Sequence, residues 1–232
     1  VIRVAIVDDH PVARRGLGSV VASAPGFAVV LLTDSAAAVD PAAVDVVLHD
    51  LYLGRGGPAL ASISELSAWT NVATTAAVSR PGDVLAAVRA GARAHLTRDT
   101  PDEVVAATVA GVAAGRFVAS PELAGILRGA LPLAAGEAHM LDLIAEGLTG
   151  ARLEDELDVP PGTVEVYLER IRRSLQNAMR PHGDSGADRG GPGHGEAERA
   201  EVDRGAVDLA GRGPAERGIE RTERIWRPPW RQ

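Results

Sequence analysis

Along residues 1–115, short uninterrupted apolar runs alternate with Ala-rich stretches whose apolar positions recur at helical spacing. Ile2–Val7, Phe27–Leu32, Val44–His49, Val72–Val78 and Ala94–Thr97 read as strands, rich in branched residues and apolar on both faces. Val12–Ala24, Ala59–Ala68 and Pro81–Ala90 read as helices, the first entered through Pro11 and the last closed by Gly91. Thr100-Pro101-Asp102-Glu103 reads as a further helix start, with Thr100 as N-cap, Pro101 in the first position and two acids against the dipole. Gly115 ends that helix. Apolar strands interleaved with helices imply a parallel sheet covered on both faces. Residues 1–115 are therefore predicted to form an α/β doubly wound domain on a five-stranded parallel sheet.

The period then changes. Residues 116–132 read as a linker with helical content, and residues 133–176 as an all-α domain. Leu141, Ile144, Leu148, Leu153 and Leu157, then Val164, Leu168, Ile171 and Leu175, recur at helical spacing and should face its core. Residues 177–232 are rich in Gly, Arg and acids with no apolar period, so a disordered tail is predicted there.

Composition narrows the classes. Hydrophobic residues make up 46% of the 232 but aromatics only 3%, so the core must be aliphatic. The absence of cysteine excludes disulfides and thiolate metal sites and fits a reducing compartment. No apolar run approaches the roughly 18–20 residues of a membrane helix, and the start, VIRVAIVDDHP, lacks an export pattern. A cytoplasmic protein without a membrane partner is expected. The formal charge of −7 is unevenly spread: residues 133–176 carry four arginines against nine acids.

Ligands of a doubly wound sheet sit outside the carboxyl ends of its strands. Asp8 and Asp9 end the first strand and Asp50 ends the third, so three carboxylates should converge on one edge. Like charges that close repel, and a hard divalent cation such as Mg²⁺ is the usual remedy. A carboxylate beside such an ion can act as a nucleophile on a phosphoryl group. His10 and His49 flank the acids, but strand alternation turns His49 away from Asp50 into the packing. No general acid–base pair accompanies the acids, so an enzyme is not expected.

VAIVDDHPVARRGL, VVLHDLYL, DVLAAVRAGARAHL and RDT follow one another in the order and spacing of a response-regulator receiver, and DDHP with the AGA stretch resembles the NarL/FixJ type. LAAGEAHMLDLIAEGLTGARLEDELDVPPGTVEVYLERIRRSL resembles the LuxR-type helix-turn-helix domain along its whole length, with TVEVYLERIRRSL as recognition helix and Pro161 in its first turn. The resemblance implies Asp50 as phosphoryl acceptor, Asp8, Asp9 and Asp50 as Mg²⁺ ligands, and switch positions at Ala76, His95 and Arg98. It further implies a histidine kinase as phosphodonor, promoter DNA as target, a possible homodimer, and Thr163, Glu165, Val166, Tyr167, Glu169, Arg170 and Arg173 as the DNA-facing set, with Arg172 also outside.

This chain departs from the pattern. Ala76 stands where a Thr or Ser ends the fourth strand, and Thr75 is expected to face the other side. Arg98 replaces a Lys, His95 an aromatic, and Gly54 the Pro four residues after the acceptor. These changes mark an atypical or degenerate member, with metal binding retained at the acids and a receiver that can work independently of phosphorylation. In the helical domain, Glu165 replaces a usual Lys, Glu154 a small Ala and Pro160 a Ser N-cap, and the fourth helix expected near residue 177 gives way to the Gly-Arg tail. A DNA-binding transcriptional regulator is the reading; the alternative is an interaction or decoy regulator that has lost DNA binding.

Overall fold

Valine- and isoleucine-rich runs become strands because branched side chains pack well on a pleated surface. β1 (Ile2–Val7) is followed by α1 (Pro11–Ser23), β2 (Phe27–Thr33), β3 (Val46–Asp50), α2 (Leu60–Ser67), β4 (Asn71–Ala76), α3 (Pro81–Ala90), β5 (Ala94–Thr97) and α4 (Asp102–Ala113). The helices α5 (Pro121–Ala130), α6 (Ala135–Ala145), α7 (Gly150–Glu156) and α8 (Thr163–Asn177) complete the order. This computed structural model describes residues 1–54 and 56–177. The tail and the expected fourth helix lie outside the described residues.

The five strands pair in parallel in the order β2-β1-β3-β4-β5. The chain moves outward in one direction from β1 to β2 and in the other from β3 to β5. The reversal therefore falls between β1 and β3, where Asp8 and Asp50 end their strands.

Strand alternation splits the core into two layers. Val4, Ile6, Val46, Leu48 and Leu96 meet Val21 of α1 and Val105, Val109 and Val112 of α4 on one face. Ala5, Val7, Val47, Val72 and Ala76 meet Ile63 and Leu66 of α2 and Val84 and Val88 of α3 on the other. The second layer continues through Phe117, Leu123 and Leu127 to Met140, Leu141, Ile144, Leu153, Leu168, Ile171 and Leu175 of the helical domain. Aliphatic burial is thus continuous from the parallel sheet, through α5, into α6, α7 and α8.

The structure differs from the sequence reading in local detail. Helix α4 starts at Asp102, with Pro101 in the N-cap position and no side-chain cap. Thr100 turns its hydroxyl back to accept from the Thr97 amide at 3.1 Å, which removes it from the cap. Pro161 lies in the turn before α8, whose Thr163 amide donates to the Pro160 carbonyl at 3.1 Å. The Gly162 amide there donates to Glu154 Oε1 at 2.6 Å, so the acid at the small-residue position braces the entry to α8. The crossover from β2 to β3 carries only a 3₁₀ turn, Ala36–Ala38, and leaves Trp69 78% exposed beside it. Gly91 at the end of α3 has φ +120°, and a Cβ there would sit 2.5 Å from Ser67 Cβ, so α2 and α3 close only over a glycine. Among the described residues, no helix is long and apolar enough to cross a membrane.

Candidate acidic site and helix-turn-helix face

Asp8 and Asp50 are nearly inaccessible at the ends of β1 and β3, while Asp9 stands in the open. Backbone amides fix all three carboxylates. Asp8 Oδ1 accepts from the His10 amide at 2.7 Å, Asp50 Oδ1 from the Tyr52 amide at 3.1 Å, and Asp9 Oδ2 from the Gly54 amide at 3.0 Å. Gly54 has φ +80°, so the residue replacing the expected proline supplies both a left-handed turn and an N–H that proline lacks. His10 Nδ1 lies 2.8 Å from Asp9, 3.3 Å from Asp8 and 3.7 Å from Asp50. Ligand atoms of Asp8, Asp9, His10 and Asp50 all fall within 4.8 Å of one another. Sequence reasoning left His10 as a flanking residue, although DDHP contained the signal. Burial raises the Asp50 carboxyl above its ordinary range, opposed by the Tyr52 amide and reinforced by the charge of Asp8.

The three switch positions separate. Arg98 Nη2 reaches to 3.7 Å from Asp8 Oδ2 across the carboxyl edge. Ala76 is buried in the layer formed with Ala5 and Val7. Thr75 pairs in register with Asp50 and lines a cavity with Asp8, Thr97 and Arg98. Register partners share a face of the sheet. The expectation that Thr75 turns away from the acids is therefore corrected: Thr75 is the hydroxyl on their side, and Ala76 the residue that turns away.

His95, fully buried in β5, hydrogen-bonds through Nδ1 with Thr74 Oγ1 at 3.0 Å and through Nε2 with Ser79 Oγ at 3.1 Å. His49, also fully buried, hydrogen-bonds through Nδ1 with the Asp50 carbonyl at 2.7 Å and through Nε2 with Ser62 Oγ at 3.0 Å.

In the helical domain, α7, the turn and α8 form the paired crossing. Asp158 (φ 51°) and Gly162 (φ 82°) supply the left-handed residues that the turn requires. Val164, Leu168, Ile171 and Leu175 are buried as the period demanded. Of the residues expected outside, Val166, Arg170 and Arg173 are exposed. Tyr167 instead packs partly against the core, with the Arg170 guanidinium 4.6 Å above its ring. Thr163 is half-buried at the start of α8. Glu169 binds Arg172 Nη2 at 2.6 Å and Arg173 Nε at 3.1 Å, while Arg170 Nε reaches Glu137 at 3.0 Å. Glu165 pairs with Arg116 Nη1 at 3.3 Å. Glu165, Val166, Glu169 and Arg173 line a groove shared with Arg93 and Arg116, so this face of α8 is turned toward the start of β5 and the segment after α4.

Burial lowers His95 to about 4, from an ordinary value near 6.5, and lowers His49 in the same direction. The unfolded chain therefore takes up these protons first. Stability is fully present above pH 6.5 and is lost as pH falls toward 4. Urea unfolding at pH 7 and pH 5 should show a loss of about 2 kcal/mol from His95, and His95→Phe should remove that part. An equally steep fall in the variant would contradict the assignment.

No protein-family model matches the chain. The nitrate/nitrite response regulator NarP of Escherichia coli is 30% identical over 198 residues, spanning 77% of this chain and 90% of that protein. The DNA-binding transcriptional activator DevR/DosR of Mycobacterium tuberculosis is 30% identical over 191 residues, spanning 75% of this chain and 88% of its own. Among solved structures, the response regulator ChrA of a heme-sensing two-component system matches with a TM-score of 0.49 and 28% identity, covering 77% of this chain and 96% of that one. With its acids at the carboxyl edge of a five-stranded parallel sheet and its paired helices downstream, the chain belongs to the NarL/FixJ-type response regulators of two-component systems.

Proposed function

We propose that this chain is a cytoplasmic, DNA-binding transcription regulator whose receiver accepts a phosphoryl group on Asp50 from a partner histidine kinase. It acts as a regulator, not as an enzyme with a substrate pocket of its own. The observation that carries the reading is the arrangement of Asp50 itself. The Tyr52 amide holds Oδ1, while Oδ2 faces the cluster formed by Asp8, Asp9 and His10. Oδ2 attacks phosphorus; the new O–P bond replaces the P–N bond to the donor imidazole, whose nitrogen keeps the electron pair and is protonated. Thr75 and Arg98 stand on the same side, as hydroxyl donor and cation for the phosphoryl oxygens.

The donor set fits a hard divalent ion, since three of the four ligating groups are carboxylates. Asp8, Asp9 and Asp50 would hold Mg²⁺, which when bound offsets the charge of the carboxylates and of the incoming phosphoryl oxygens. Arg98 arrives as a planar guanidinium where a compact ammonium is usual, which favours contact with two oxygens at once. The departures at Ala76 and Arg98 thus relocate the hydroxyl and the cation without emptying the edge of either.

Promoter DNA is taken as the target of α8, with a homodimer as the binding form. The exposed cations on that helix are Arg170 and Arg173. In the present arrangement the Glu165–Arg116 pair and the groove with Arg93 hold this face against the receiver, so DNA access requires the two domains to part.

Incubation with a small phosphodonor and Mg²⁺ should add the mass of one phosphoryl group to the intact chain. Asp50→Asn should abolish it. No adduct on the unsubstituted protein would retire Asp50 as acceptor. Retardation of promoter fragments in a salt series tests the output: affinity should fall with salt, and Arg173→Ala should flatten the log–log slope by about 1 for each phosphate it no longer neutralises. Salt-independent retention, or none at low salt, would contradict DNA as the target.

A further inference from the structure

Two hydrogen-bonded arms leave the acidic edge and the buried ring of His95, and both end on the linker helix α5. The first begins at Asp50. Two residues on, Tyr52 donates its amide to that carboxylate. Its phenol oxygen accepts from the Arg80 amide at 3.1 Å and donates to Asp83 Oδ2 at 2.9 Å. Tyr52 thereby pins the start of α3 at its N-cap, Arg80, and in its first turn, at Asp83. Ser79, the residue before Arg80, is the junction.

Ser79 Oγ donates to Glu122 Oε1 at 2.8 Å, in the first turn of α5. With its only proton spent there, Ser79 accepts from His95 Nε2–H at 3.1 Å. Nδ1 then accepts from the Thr74 hydroxyl at 3.0 Å, whose one proton is shared with the Ala94 carbonyl at 3.2 Å. The protons run in one direction, Thr74 to His95 to Ser79 to Glu122. A phenyl ring at residue 95 would break the chain at both nitrogens. The second tie to α5 uses the His95 main chain: Ser120 Oγ donates to the His95 carbonyl at 2.6 Å and, as N-cap, accepts from the Leu123 amide at 3.3 Å.

Helix α5 packs between the sheet and the last three helices. Leu123, Ala124 and Leu127 are fully buried in the layer shared with the receiver sheet and with α6 and α8. Any shift of the α5 N-terminus must be passed to the helical domain, because close-packed interiors repack rather than stretch.

We infer that Tyr52, Ser79, His95 and Glu122 form a latch that couples the Asp50 edge to the linker helix and so sets the position of the DNA-binding domain. The coupling bypasses the Ala76 side chain, which has no hydrogen-bonding group. It rests on the reading of Asp50 as input only for the stimulus; the latch itself is present in the resting protein. Displacement of the Ser79–Arg80 loop breaks the bond to Glu122 and frees the first turn of α5.

Hydrogen–deuterium exchange on the full chain, with neither phosphodonor nor DNA, tests the latch. Ser79→Ala and Glu122→Ala should each raise exchange of the Leu123–Leu127 amides by about tenfold, the size expected for one charge-assisted bond. Glu122→Gln removes the same charge from the helix start but keeps an acceptor for Ser79, and should stay near the unsubstituted rate. The double variant Ser79→Ala with Glu122→Ala should exchange no faster than either single one. Unchanged exchange in Glu122→Ala, an equal rise in Glu122→Gln, or additive effects in the double variant would overturn the latch. Glu122 is half-buried and its removal leaves no core cavity, so the test does not depend on His95 variants folding. Failure to detect a phosphoryl adduct would leave this exchange pattern intact, so the two readings fall separately.

Discussion

Three carboxylates are forced together where β1 and β3 end, and their mutual repulsion governs how this edge is built. Two of them are removed from water, which makes the repulsion stronger than it would be at the surface. The chain answers with amides from His10, Tyr52 and Gly54, with the His10 ring, and with Arg98 reaching across from β5. None of these cancels the charge fully. An edge left short of positive charge is suited to a divalent ion.

The same edge is mechanically connected to the output. Aliphatic packing runs unbroken from the sheet through α5 into the helical domain, and polar ties from Tyr52, Ser79, Ser120 and His95 lie along its border. Apolar packing supplies the rigidity, and hydrogen bonds supply the points that can be made or broken. The groove between α8 and Arg93, Arg116 and Phe117 is the far end of this system. There Glu165, unfavourable toward phosphate, has a favourable partner in Arg116. The acidic balance of the helical domain thus has an intramolecular role alongside any cost it imposes on DNA affinity.

Period and branching made the strands legible. Ile2–Val7 and Ala94–Thr97 match the observed β1 and β5, and the other three strands differ from their predicted limits only near the ends. The convergence of Asp8, Asp9 and Asp50 was legible too, because it follows from strand ends and parallel order alone. Register was not. Which of Thr75 and Ala76 shares a face with Asp50 depends on how β4 slides against β3, and a single chain contains no direct record of that offset. Contacts between distant residues were hidden for the same reason: Tyr52 with Arg80, Ser79 with Glu122 and Arg116 with Glu165 are joined only by the tertiary fold. The crossover from β2 to β3 has no assigned element in the sequence reading, and the structure has one short turn there. An Ala-rich stretch is compatible with helix, but Pro41 and the flanking Asp34 and Asp40 leave room for one 3₁₀ turn.

All of this depends on the carboxyl edge being one ion-binding centre and not three separate acids. Backbone amide shifts during a Mg²⁺ titration of the unphosphorylated chain report on it directly. The account predicts saturation at one ion per chain, with the largest shifts at the His10, Tyr52 and Gly54 amides and loss of saturation in Asp9→Asn. Shifts that never saturate, or that persist unchanged in that variant, would contradict it.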